Sequence, residues 1–109
     1  MTTITALQLA QAEMPTSAAA LYTVPASTIA YVKDINICNT TAGVIVVSLW
    51  LVPASGSRAT ANAFMANVQV PANGTVEWQG TQILPAGATI QALAAASGVG
   101  ITISGAQEA

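Results

Sequence analysis

The sequence predicts an all-β protein: an antiparallel β-sandwich, jelly-roll or immunoglobulin-like, of seven or eight strands, preceded by a short N-terminal arm. Three observations lead there. Apolar stretches with period-two patterning recur from residue 21 to residue 104, separated by turns rich in Gly, Pro and Asn. No apolar pattern of helical period appears after residue 20. A chain of 109 residues also has room for one core only. Size scaling gives it a folded surface of about 5,600 Å² and buries roughly 65% of what the unfolded chain exposes.

The first 18 residues differ from the rest and are expected to form an arm, leaving 19–109 as the sandwich domain. Thr5 can cap a short helix over residues 6–12, with Pro15 stopping it. Ile4, Leu7 and Ala10 share the three-residue spacing of such a helix, although Gln11 interrupts the stripe. A helix this short is marginal alone. The arm is therefore expected either to be ordered by contact with a partner or to be a frayed terminus.

From Leu21 the pattern turns to β. Residues 21–24 form a short strand ended by Pro25. Residues 28–38 form a long one, with Ile29, Tyr31, Lys33, Ile35 and Ile37 on one face and Ala30, Val32, Asp34, Asn36 and Cys38 on the other. Asn39–Gly43 is a turn and is expected to join it as a hairpin to an apolar strand over 44–52, which Pro53 ends. Residues 54–61 are a polar loop of small residues carrying Arg58, the only arginine. A strand over 63–70 leads to the turn Pro71-Ala72-Asn73-Gly74, whose Asn-Gly is a strong tight-turn signal. Further strands are expected at 75–79, near 83–84, at 89–96 and at 99–104, the last with Val99, Ile101 and Ile103 on its apolar face.

The strand over 44–52 has one polar side chain, Ser48. A two-layer sandwich buries one face of each sheet, yet both faces of this strand are apolar. Ile45, Val47, Leu49 and Leu51 form the more uniform set and are expected to face the core. Trp50 then lies on the other face, near a subunit contact. Trp78, between Glu77 and Gln79, is expected to fill the core.

Composition points the same way. Hydrophobic residues make up 53% of the chain and charged residues 6%, where about 25% charged is ordinary. Such a surface suits a domain covered by other chains, because permanent interfaces are poor in charge. A net charge of −2 with one Lys and one Arg offers no basic stripe for nucleic acid and no anchor for an anionic membrane. No apolar run approaches the ~20 residues of a membrane-spanning helix. The opening residues lack the basic and long apolar regions of a signal peptide, so synthesis in a cytoplasm is expected.

Catalytic chemistry is sparse. With no His and a single Cys, the common zinc sites and His-based triads have no components. The carboxylates stand at positions 13, 34, 77 and 108, and only Asp34 and Glu77 fall in the central β region. Cys38 is expected to be a small buried hydrophobe. Asn39 and Asn73 sit in glycosylation-type triplets but are expected to be turn residues. The protein is expected to be no enzyme and to need no cofactor or metal. A sugar-binding module stacking ligand on Trp50 or Trp78 is a lesser alternative.

The segments LYTVPASTIAYVKDINICNTTAGVIVVSLWLVPASG and PANGTVEWQGTQILPAGATIQALAAASGVGITISG together resemble a group of small bacteriophage virion proteins. The shared pattern falls at residues 21–26, 37–41, 44–53, 84–92 and 98–105. The resemblance implies a capsid decoration (cement) protein, or alternatively a neck, tail or fibre-base protein. It also implies a homo-oligomer, with a trimer favoured, located in the virion and bound to the major capsid protein or another virion protein. The contact residues expected are Ile4, Leu7 and Leu9 of the arm, with Trp50 and Arg58.

Overall fold

All five prolines stand one or two residues beyond the end of a strand, where a missing N–H costs the ladder nothing. The computed structural model describes residues 3–109. It has eight strands: β1 (Ile4–Glu13), β2 (Ala19–Thr23), β3 (Ile29–Asn39), β4 (Ile45–Val52), β5 (Ala63–Val70), β6 (Thr75–Leu84), β7 (Thr89–Ala94) and β8 (Val99–Glu108). A single 3-10 turn, Thr60–Asn62, lies between β4 and β5. Its surface of 5572 Å² matches the size expectation of about 5,600 Å².

Two antiparallel four-stranded sheets result, ordered β1-β8-β3-β6 (sheet A) and β2-β7-β4-β5 (sheet B). Strands pair first with last: β1 with β8, β2 with β7, β3 with β6, β4 with β5. This is one long ribbon folded over so that successive pairs go to alternate sheets. Of the two sandwich types expected, the structure is therefore the jelly roll.

The topology corrects two local readings. The turn at 39–43 is not a hairpin: β3 lies in sheet A and β4 in sheet B, so it is a corner between sheets. Asn39, fully buried, builds that corner. Its Nδ2 donates to the carbonyls of Gly43 (2.7 Å) and Val70 (3.1 Å), and its Oδ1 accepts from the N–H (2.9 Å) and hydroxyl (2.8 Å) of Thr41. The N-terminal segment is neither a helix nor a separate arm. Residues 4–13 are the edge strand of sheet A, while residues 1–2 lie outside the described residues. The bulge at Leu9 shifts the strand's phase by one residue, so Leu7 and Ala10 share the inner face at three-residue spacing, while Ile4 lies on the outer face.

Bulges also explain β3. Its inward residues are Ala30 and Val32, then Ile35 and Ile37, so strict alternation breaks at Lys33. The neighbouring strands shift at the same level, at Leu9 on β1 and at Gly80–Thr81 on β6. A line of bulges thus crosses sheet A, bending it and exchanging inward and outward positions. Gly105 of β8 lies on this line. A Cβ there would stand 1.8 Å from the carbonyl oxygen of Tyr31, so only glycine lets the strands close. The regions expected as strands at 75–79 and 83–84 are one strand, β6, joined through this bulge.

The core lies between the sheets. Ile35, Ile37, Ile101 and Ile103 of sheet A face Ile45, Val47, Leu49 and Ile90 of sheet B, all nearly inaccessible to solvent. One side of the sandwich is closed by Phe64 and Trp78, edge to face with centroids 4.8 Å apart. Trp78 is thus packed against the core, as its flanking residues indicate. Across the other side, Gln107 Nε2 donates to the Tyr22 hydroxyl, linking β8 to β2.

Candidate functional site

The register defines what sheet A presents outward. Its outer rows read Ile4–Glu108–Ile29, then Ala6–Ala106–Tyr31–Ile83, Gln8–Ser104–Asp34–Gln79, Gln11–Thr102–Asn36–Glu77 and Glu13–Gly100–Cys38–Thr75. All four carboxylates of the chain are on this face. Ile4, Ile29 and Ile83 are 66%, 40% and 62% exposed and lie in the first two rows beside Tyr31. The face therefore has an apolar end and a polar, acidic end, divided by the line of bulges. Lys33 stands at that line and donates to the Thr81 hydroxyl at 2.7 Å.

At the apolar end the Tyr31 hydroxyl donates to Glu108 Oε1 at 2.5 Å. Hydrogen bonding to this carboxylate, with burial and its negative charge, pushes the Tyr31 phenol above its ordinary pKa. At the other end Glu13 Oε2 accepts from the N–H of Gly98 (3.0 Å), in a left-handed turn at φ +106°. Cys38 is exposed here, beside Gly100, and not buried as a small hydrophobe. The phase change at Lys33 turns it outward.

Sheet B answers the question raised by the doubly apolar β4. Ile45, Val47 and Leu49 are buried in the core, with Leu51 packed against it, and Trp50 is on the outer face, half-buried. The chain's own β4–β5 loop covers that outer face in part. The Arg58 guanidinium lies 5.6 Å from the Trp50 ring centroid, and its Nη1 donates to Gln91 Oε1 at 2.6 Å. Gln91 in turn donates to the Thr89 hydroxyl at 3.0 Å. Ser48 is buried because its hydroxyl accepts from the N–H of Asn67 (3.0 Å), held at φ +52° in a bulge of β5.

The expected contact residues are thus dispersed. Ile4 and Leu7 are exposed on the edge strand, on the outer and inner faces respectively. Leu9 belongs to the core at 8% exposure, which corrects its assignment to a contact surface. Trp50 and Arg58 meet each other on the opposite sheet. Neither tryptophan is a bare platform for a sugar, because Trp50 lies under Arg58 and Trp78 against Phe64. Asp34 and Glu77 occupy neighbouring rows of an open sheet, not opposite walls of a cleft. Sequence reading missed the outer isoleucine cluster. The signal was present in the charged pair Lys33-Asp34, which interrupts an apolar strand where its phase changes.

A cleft of about 330 Å³ opens at one end of the sandwich, lined by Leu51, Phe64, Ile83, Leu84 and Pro85 among others. Among the described residues, no helix is long and apolar enough to cross a membrane.

No known protein family and no curated protein matches the chain. Among solved structures it is similar to a chain of infectious bursal disease virus, Gx strain, with a TM-score of 0.54 and 11% identity. The similarity covers 98% of this chain, which spans 31% of that one. At that identity the likeness is one of fold: a β-sandwich found in a viral structure.

Proposed function

We propose that this chain is a non-enzymatic structural subunit of a bacteriophage virion, a capsid decoration protein that binds the head shell as a homo-oligomer and stabilises it. The observation that carries this reading is the uncovered outer face of sheet A, where Ile4, Ile29, Ile83 and Tyr31 stand together in solvent. Monomers seldom leave such clusters open without a partner. The fold it shares with a chain of a virus supports a virion role, and the low charge supports a permanently assembled state. In this reading the apolar end of sheet A seats on the shell, while Glu13, Asp34 and Glu77 give the contact its orientation.

Co-sedimentation with purified heads stripped of the protein tests the reading. The wild-type protein pellets with the shells. I29D and I83D each remain folded and stay in the supernatant. Wild-type protein that fails to pellet with shells contradicts the proposal, and so does undiminished binding by both variants.

A further inference from the structure

The edge of sheet A carries a second, independent signal. Thr3 and Ala109 exchange both backbone hydrogen bonds, Thr3 N to Ala109 O at 2.8 Å and the reverse at 3.0 Å. In an antiparallel ladder such pairs alternate with pairs that make no bond to each other. The register then runs unbroken through Ile4↔Glu108, Ala6↔Ala106 and Gln8↔Ser104. The N–H and C=O groups of Ile4, Ala6 and Gln8 therefore point away from β8, out of the sheet edge.

We infer that β1 is a self-pairing edge, joining two copies of this chain about a two-fold axis at Ala6. In that arrangement Ala6 faces its own copy, Ile4 faces the second copy's Gln8, and Gln8 faces the second copy's Ile4. Each facing pair exchanges both of its bonds, so the outward groups from Ile4 to Gln8 are satisfied together. The two A sheets become one continuous eight-stranded sheet. Ile4, 66% exposed, gains the second copy's Gln8 and Ala6 as neighbours, and Leu7, 36% exposed, packs against the second copy's Thr5.

Charge selects this contact over the alternative. No charged residue occurs from Thr3 to Ala12, so two β1 strands meet without repulsion. Packing the outer faces of two A sheets would instead bring both sets of carboxylates together. The other edges are blunted in the ways that prevent pairing. β2 has five residues and a register shift, β5 has two shifts, and β6 carries Glu77 and the Gly80–Thr81 bulge. The bulge at Leu9 ends the paired run, and the two-fold contact closes on itself, giving a pair and not a fibre. This inference rests on backbone geometry and is independent of the virion reading.

Sedimentation velocity of the purified chain over rising concentration tests it. The expected species is a dimer. A6E and A6K each place like charges directly opposite across the axis and weaken the dimer by about tenfold or more. An equimolar mixture of A6E and A6K restores it. Q11E, a charge on the same strand beyond the bulge, leaves it unchanged. In hydrogen exchange read by NMR, the amides of Ile4, Ala6 and Gln8 exchange slowly in the dimer and quickly in A6E. A chain that stays monomeric overturns the inference, as do a trimer that A6E leaves intact and fast exchange at all three amides of an assembled wild type.

Discussion

Arg58 and Trp50 form a cation–π pair, with the guanidinium 5.6 Å from the ring centroid. The pair fastens the β4–β5 loop over the outer face of sheet B, with Gln91 as the second anchor. Arg58→Ala should uncover the indole. Tryptophan emission should shift to longer wavelength, and acrylamide quenching should increase. Because the site is exposed, stability should fall by no more than about 1 kcal/mol. Unchanged quenching would show that the loop does not shield the ring in solution.

Gly105 and Gly100 occupy the same strand in opposite circumstances. A Cβ at Gly105 meets the Tyr31 carbonyl oxygen at 1.8 Å, whereas one at Gly100 meets nothing within 4 Å. Gly105→Ala should therefore cost roughly 2 kcal/mol or more, by forcing β3 and β8 apart. Gly100→Ala should stay within about 0.5 kcal/mol of wild type. Urea unfolding of the two variants checks the contrast, and equal midpoints would refute the close approach at the line of bulges.

Asn39 satisfies the sheet-to-sheet corner from inside. Asn39→Ala removes donors from two carbonyls and an acceptor from Thr41. The expected loss is about 2–4 kcal/mol, because the groups it leaves behind include a buried one at Val70. Asn39→Asp should not rescue it, since a carboxylate cannot donate to Gly43 or Val70. Thermal unfolding distinguishes the cases; full stability in the aspartate variant would mean that the bonds from Nδ2 to Gly43 and Val70 do not hold the corner.

Tyr31 should titrate above the ordinary tyrosine range, about 10, because its phenol donates to Glu108. A folded pKa above the unfolded one means that the stabilisation is complete below the ordinary range. It is lost as pH rises through the folded value. Ultraviolet titration of wild type against Tyr31→Phe isolates the Tyr31 component. Glu108→Gln should bring that component back toward the ordinary value, and a component that does not move would assign the shift elsewhere.

The strands from β2 to β8 were legible in the sequence because turn residues mark them directly, although β6 was read as two pieces and β1 was missed. Pro53, Pro71 and Pro85 each directly follow a strand, and the apolar runs between them fill one. The inward set of β4 was also legible, since the branched side chains at 45, 47 and 49 form the more uniform face, opposite Val46, Ser48 and Trp50. What local pattern hides is anything that needs a neighbour. A bulge at Lys33 reverses the phase of β3, and only the pairing partners reveal it. The corner at Asn39 has the composition of a hairpin turn, and the side chain that makes it a corner bonds to Val70, far along the chain. In residues 4–13 the bulge at Leu9 puts Leu7 and Ala10 on one face at helical spacing, and the pairing with β8 that makes the segment a strand lies at the far end of the chain. The expected contact residues lie in separate places, since composition reports how much surface is covered and not where.

In the proposed role this sandwich sits on the outside of a particle's head shell. Cryo-electron microscopy of purified particles that contain the chain tests it most directly. The expected result is density for the sandwich on the outside of the head, repeated with the shell lattice, with Ile29 and Ile83 of sheet A turned toward the shell. Density confined to the neck, tail or fibre base would contradict the decoration reading, and absence of the chain from purified particles would contradict the virion role altogether.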